Sequence, residues 1–234
     1  LADLRRKYGA TVEDMIHTLS QLEEEFGQLG LAEDRLTGLA TEIAAVTEEF
    51  AKVGRKLSQA RRKVATGLGT AVTSEIKDLR MGEAEFSVEL QAREDVSEWT
   101  AHGADQVQFV VRTNAGEAAR PIGKIASGGE LSRLMLAIRR VIADKGGIGV
   151  YLFDEVDAGI GGQTAFQVGK KLKSVAAYNQ VICITHLATI AAFGTTHFVV
   201  RKSVQEESTK TTIEEVRNKA RVLEIARMLS GSTV

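Results

Sequence analysis

Between Leu22 and Val64 an apolar residue returns every seven positions: Leu22, Leu29, Leu36, Ile43, Phe50, Leu57 and Val64. A second series, Leu39, Val46, Val53 and Ala60, follows three positions behind members of the first. This is the a/d pattern of a coiled coil, clean from Leu36 to Val64, and it requires a long helix whose apolar seam meets another helix. Proline breaks helix interiors, and here it occurs once in 234 residues, at Pro121, where average usage would give about a dozen. A helix from Leu31 to Lys77 would measure about 70 Å. Before Leu36 the pattern weakens, because Glu25 and Ala32 take d positions and Gly27 and Gly30 intervene. A helix break is therefore expected near residues 27–31, with a separate or weakened helix over Thr11–Phe26. The alternative is an amphipathic helix lying on a globular core, although a pattern this long exceeds what a compact domain covers. One arm cannot bury its own seam, so a partner chain or a preceding segment must supply the second.

Composition narrows the class further. Apolar residues make up 44% of the chain, enough for a core, and charged residues 26%. With 30 basic and 31 acidic side chains the formal net charge is −1, so any nucleic-acid binding needs a local patch. No stretch approaches the roughly 18 uncharged apolar residues that span a bilayer, which excludes a membrane-spanning helix. Leu1–Lys7 lacks the apolar core of a signal peptide, and the missing initiator methionine fits a piece of a longer protein. A single cysteine, Cys183, excludes an internal disulfide framework and a cysteine-rich zinc site; a reducing cytoplasm fits best.

From Met81 the texture changes. Residues 85–90 and 106–111 alternate polar and apolar, as strands do, and Asn114-Ala115-Gly116 marks a turn. Helices are expected over Leu131–Ala143, Gln163–Ala177 and Ala220–Leu229. Buried strands are expected over Ile148–Phe153 and Val181–Ile184, and short strands over Phe198–Val200 and Thr211–Val216. Continuous apolar strands alternating with helices indicate an α/β fold with a mostly parallel sheet flanked by helices.

Three segments carry chemistry. Ser127-Gly128-Gly129-Glu130 leads into the first of these helices, where glycines let backbone N–H groups approach an anion and the helix dipole favours negative charge. Ser127 can cap that helix and also donate to a phosphate oxygen; an ordinary N-cap loop reads the same way. About 24 residues later, the apolar strand Val150-Tyr151-Leu152-Phe153 ends in Asp154 and Glu155, at the sheet edge where open α/β folds bind ligands. Asp154 can hold Mg²⁺ and Glu155 can orient a water for attack on phosphorus, although a solvated acidic turn has the same sequence. The glycine-rich loop Asp157-Ala158-Gly159-Ile160-Gly161-Gly162 follows. About 31 residues beyond Glu155 a second strand ends in Thr185-His186. An imidazole there can donate to a γ-phosphate or hold the attacking water, but a lone histidine after a strand is commonly structural. His17, His102 and His197 carry only that structural reading.

The order Ser-Gly-Gly-Glu, strand-Asp-Glu, strand-His resembles the signature motif, Walker B and switch histidine of an ABC-type ATPase head. The segments Ala126–Arg133, Asp154–Gly162 and Thr185–Phe193 are more closely similar to the RecN family of bacterial DNA-repair proteins, which resemble the SMC proteins. The likeness extends to Leu4–Gly9 and to Ile225–Leu229 and covers essentially the whole chain. It implies the C-terminal lobe of an ABC/SMC-type head (67–234) behind a coiled-coil arm (1–66). Ser127, Gly128, Gly129 and Glu130 would then meet ATP held by the opposite subunit, Asp154 would serve Mg²⁺, Glu155 the hydrolytic water and His186 the γ-phosphate. SMC proteins carry a further aspartate where Gly161 stands, which leaves the cross-subunit contact to Asp157 or to backbone groups. The implied setting is double-strand break repair by a cytoplasmic, nucleoid-associated protein without a membrane role. Its partners would be the N-terminal head lobe and first arm of the same protein, a second head, and DNA.

No Gly-x-x-x-x-Gly-Lys-Ser/Thr occurs, so the lysine loop that cradles ATP lies outside this chain. The run Lys52, Arg55, Lys56, Arg61, Arg62 and Lys63 has no acidic residue among it. It reads either as a solvated helix face or as a contact to the DNA backbone. A non-hydrolysing coiled-coil scaffold is the competing function, and retention of both Asp154 and Glu155 argues against it. A transporter subunit is disfavoured by the coiled coil directly upstream of the head.

Overall fold

The computed structural model describes residues 2–114, 116–146, 149–205 and 208–230. Ala115 and Ile148, placed by sequence in a turn and at a strand start, lie outside them. A short helix α1 (Ala2–Tyr8) precedes α2 (Val12–Lys77), a single helix of 66 residues, about 100 Å long. Its start is set by reciprocal capping: Thr11 N–H donates to the Asp14 carboxylate at 3.0 Å and Asp14 N–H to Thr11 Oγ1 at 3.1 Å. These bonds hold the Asp14 carboxyl below its ordinary range.

The break expected near 27–31 is absent, since α2 runs through Gly27 and Gly30. A helical glycine costs about 1 kcal/mol relative to alanine, whereas proline both clashes and removes a donor, and α2 contains none. Nor does α2 lie on a globular core along its length. The seam residues Leu29, Leu36, Ile43 and Val64 are each about two-thirds exposed.

The chain forms two compact units, Leu1–Gln59 with Ala92–Asp105, and Ala60–Gln91 with Gln106–Val234. The boundary between these units crosses α2 after Gln59. The first unit also includes a returning segment that sequence periodicity does not reveal. In that unit Trp99 packs on α2, its ring centroid 5.8 Å from that of Phe50, and Ser58 donates to the Asp105 carboxylate at 2.7 Å. Trp99 Nε1 is satisfied by the Arg93 carbonyl at 3.0 Å.

The second unit is an α/β lobe. Strands β1 (Glu85–Ala92), β2 (Asp105–Arg112) and β3 (Arg120–Pro121) form a sheet in that order, with Pro121 opposite Val110 on the edge strand, where a missing N–H is tolerated. Helix α3 (Gly128–Ile142) leads to β4 (Val150–Phe153), α4 (Gly162–Val175) to β5 (Gln180–Cys183), and α5 (Ala188–Ala191) to the antiparallel hairpin of β6 (His197–Gln205) and β7 (Ser208–Val216). Helix α6 (Asn218–Ser230) ends the described chain. Strands β4 and β5 pair in parallel, in register from Val150↔Gln180 to Phe153↔Cys183.

The core gathers the last turns of α2 (Val72, Ile76, Leu79), Phe86, Leu134 and Leu136 of α3, Phe153, and Val168, Leu172 and Val175 of α4. Lys171 of α4, itself buried, donates to Glu75 at 2.6 Å and Asp78 at 3.2 Å on α2, so its charge is paired. On β4 and β5 the alternation leaves one face uncovered: Tyr151, Phe153, Val181 and Cys183 pack inward, while Val150, Leu152, Ile182 and Ile184 are exposed.

Candidate functional site

Parallel pairing of β4 and β5 brings their C-terminal ends side by side, and Ile184 N–H extends the ladder to the Phe153 carbonyl at 2.9 Å. The next residues of each strand, Asp154-Glu155 and Thr185-His186, therefore open onto the same edge. Helix α3 aims its N-terminus at that edge. Ser127 caps it, accepting from Glu130 N–H at 3.4 Å while its carbonyl takes the Leu131 N–H at 3.0 Å. The result is a cleft of about 580 Å³ lined by Ser127, Gly128, Gly129, Asp154, Glu155, Asp157, Ala158, Ile184, Thr185 and His186.

Of the eight residues singled out by sequence in these motifs, seven line this one cleft. Glu130 does not; it lies half-buried in the first turn of α3. Asp157 lines the cleft, but its carboxylate is engaged elsewhere than sequence order implies. It is buried, and Oδ2 accepts from Thr185 Oγ1 at 2.5 Å and from His186 N–H at 2.9 Å, with His186 Nδ1 at 3.0 Å. The cross-subunit contact is expected from Asp157 or from backbone groups; within this chain the Asp157 carboxylate bonds the strand-end turn.

Asp154 and Glu155 remain exposed. Asp154 Oδ1 accepts from Glu155 N–H at 2.9 Å, and its backbone carbonyl is held by Ser132 Oγ at 2.6 Å, a tie from α3. Glu155 adopts a left-handed backbone, φ 56°, unusual for a residue with a Cβ. That conformation turns the chain sharply: Ala158 N–H returns to the Glu155 carbonyl at 3.0 Å. Two arginines clamp the loop. Arg133 of α3, buried, donates to the Ala158 carbonyl at 2.9 Å, and Arg80 donates to that of Gly159. Burial, with Arg80 nearby, lowers the Arg133 guanidinium pKa from its ordinary value.

Sequence order indicated none of Ser132, Arg80 and Arg133 as parts of the site. Arg133 falls inside the signature stretch, whereas Arg80 carries no local signal. The six basic residues at 52–63 are all on α2, and none is among the residues lining the cleft. Lys52, Arg55, Lys56, Arg62 and Lys63 are exposed, and at 100° per residue they fall within an arc of about 120°. Arg61 projects from another side and is half-buried.

The cleft's charge is one-sided. Three carboxylates line it and no lysine or arginine does, so anion binding by these residues would fall to the N-terminus of α3 and to the Ser127, Thr185 and His186 side chains. Among the described residues no cluster of three or more His, Cys, Asp or Glu could by itself enclose a metal. That donor set fits Mg²⁺ carried mainly by phosphate and water, with Asp154 and Glu155 as exposed protein carboxylates.

The chain is 39% identical over 233 residues to the DNA repair protein RecN of Treponema pallidum, covering 98% of this chain and 41% of that protein. It is 35% identical to RecN of Bacillus subtilis (100% and 43%) and 38% identical to RecN of Deinococcus radiodurans (100% and 40%). No protein-family model matches.

Among solved structures, the Smc head domain with a coiled coil and joint from Pyrococcus yayanosii superposes with a TM-score of 0.59 at 16% identity, over 93% of this chain and 39% of that one. The Smc head domain with an extended coiled coil from Pyrococcus furiosus gives 0.53 at 17%, over 98% and 57%. These two show the fold: an α/β head lobe on a coiled-coil helix. The likeness to the RecN DNA repair proteins runs the length of this chain, which spans about two fifths of the length of those relatives.

Proposed function

We propose that this chain is the second coiled-coil arm and C-terminal lobe of an SMC-like head that hydrolyses ATP when two heads meet, in the service of DNA double-strand break repair. The observation that carries this reading is the single cleft in which the Ser-Gly-Gly, Asp-Glu and strand-end histidine segments converge. Each part then has a task. The N–H groups at the start of α3, with Ser127, receive phosphate oxygens of ATP held by the opposing head. Glu155 orients and deprotonates the attacking water, and His186 holds that water or the γ-phosphate. Asp154 holds Mg²⁺, which when bound would neutralise charge on the phosphates.

A cleft with three carboxylates and no basic side chain disfavours a polyanion, so the missing lysine loop must come from the companion lobe of the same protein. The uncovered apolar face of β4 and β5 (Val150, Leu152, Ile182, Ile184) supports that partner, because the relatives are more than twice as long as this chain and this face has nothing else to cover it. The exposed seam of α2 would take the first arm in the same way. The stripe Lys52, Arg55, Lys56, Arg62 and Lys63 would contact DNA phosphates at the nucleoid. No helix among the described residues is long and apolar enough to cross a membrane.

The decisive experiment mixes this chain with a separately produced lobe carrying the lysine loop and measures ATP turnover. Turnover should appear only in the mixture and fall about 1000-fold with Glu155→Gln. Equal turnover by the chain alone, or no effect of Glu155→Gln, would overturn the reading.

A further inference from the structure

The Asp157–His186 pair is a built feature of the cleft to which motif order assigns no role. The Asp157 side chain is 6% exposed and that of His186 73%, so a buried carboxylate lies beside the inner edge of an exposed ring. One oxygen, Oδ2, accepts from Thr185 Oγ1 at 2.5 Å and from His186 N–H at 2.9 Å, and it lies 3.0 Å from His186 Nδ1. Thr185 Oγ1 in turn accepts from Leu187 N–H at 3.0 Å, so the hydroxyl has its proton free for Asp157.

A neutral imidazole carries one N–H and one acceptor nitrogen, and the partner of one nitrogen sets the state of the other. An ionised carboxylate accepts only, so at 3.0 Å from Oδ2 a proton on Nδ1 is favoured over a lone pair facing that oxygen. The backbone N–H of the same residue is tied to the same oxygen, which fixes the carboxylate relative to the ring's own Cα.

We infer that Asp157 is a positioning residue that locks His186 as the Nδ1–H tautomer and leaves Nε2 to the reacting groups. This rests on the nucleotide reading of the cleft and sharpens it. In the neutral ring Nε2 has a lone pair and no proton, so it accepts from the attacking water; it donates to a γ-phosphate oxygen only as imidazolium.

The test is two-bond ¹H–¹⁵N NMR of the chain labelled with ¹⁵N-histidine, at a pH where His186 is neutral and with its signal assigned by His186→Gln. Wild type should show His186 as Nδ1–H, the reverse of the Nε2–H form that free imidazoles favour. Asp157→Asn should keep that tautomer, because the amide oxygen accepts in the same place, and Asp157→Ala should lose it.

An Nε2–H tautomer in wild type overturns the inference without any variant having to fold; so does an unchanged Nδ1–H in Asp157→Ala. In the chain mixed with its companion lobe, Asp157→Ala should slow turnover about 100-fold. It should cost nothing further in a His186→Ala background, and additive losses there would overturn the inference. If the tautomer is as stated but neither variant alters turnover, the nucleotide reading fails while the positioning stands.

Discussion

The carboxylate of Glu155 lies against the α-carbon of Gly128: a methyl group added at Gly128 would sit 2.1 Å from Glu155 Oε2. The first glycine of α3 is therefore the floor on which the proposed water-orienting carboxylate rests. Its neighbour Gly129 meets the backbone instead, with a Cβ there falling 2.9 Å from Ala158 Cβ and 3.2 Å from the Glu155 carbonyl. Two adjacent glycines thus serve different ends, one toward a movable side-chain tip and one toward the fixed turn.

Gly128→Ala should leave stability within about 0.5 kcal/mol of wild type, because the Glu155 tip can swing aside and alanine favours the helix. Turnover of the mixture with the companion lobe should nevertheless drop about 100-fold through the displaced carboxylate. Urea unfolding and an ATPase assay on the same preparation read both quantities, and a stability loss above about 2 kcal/mol would contradict this account.

Gly129→Ala should behave oppositely, destabilising the lobe by about 1–3 kcal/mol through overpacking against a turn held by Arg133 and Arg80. The urea midpoint should fall with an unchanged slope.

Gly54 of α2 faces the ring of Trp99, and a Cβ at Gly54 would lie 2.3 Å from Trp99 Cζ3. Gly54→Ala should push the 92–105 segment off the helix. Trp99 is the sole tryptophan, so its fluorescence should shift to the red and its quenching by iodide should rise. An unchanged spectrum would mean that the ring does not rest there.

The Cys183 thiol is pushed up to about 12 from 9.0, first by burial and then by the carboxylates of Asp157 and Asp154. At pH 8 its thiolate fraction should be about 1000-fold below that of an ordinary thiol, and iodoacetamide should label it correspondingly slowly until the chain unfolds. A raised acid pKa means the folded state stays protonated while the unfolded thiol ionises. This group's contribution is therefore whole below pH 9.0 and is lost as pH rises from there toward 12.

Glu224, buried on α6, accepts two bonds from Arg227 at 2.9 and 2.6 Å, and these hold its carboxyl below the usual 4.5. A lowered pKa stabilises above the unfolded value and is lost as pH falls through the folded one. Glu224→Gln should cost about 1–3 kcal/mol at pH 7 and flatten the decline of Tm between pH 4.5 and the acid limb. A parallel decline in both proteins would contradict this assignment.

What the sequence by itself determined is whatever is coded by period or by chain order. The heptad series from Leu22 to Val64 marked a long helix with an unburied seam, because side chains seven apart share one helix face whatever surrounds them. Two apolar strands, each followed by polar residues at 154–155 and 185–186, marked a ligand edge, because β strands of a parallel pair end on the same side.

Packing decided the rest. The break drawn at Gly27 and Gly30 never forms, because two glycines cost little against the cooperativity of a 66-residue helix. The return of Trp99 and Asp105 onto α2 joins residues some 47 positions apart, and no local pattern records such a meeting. Asp157 follows Asp154 and Glu155 closely in sequence. The turn through the left-handed Glu155 carries it inward to Thr185 and His186, and Glu130, equally acidic and equally close in sequence to the glycines, lies outside the cleft. Sequence supplies the chemical groups in order, but which way a carboxylate points is fixed by backbone turns and by partners tens of residues away.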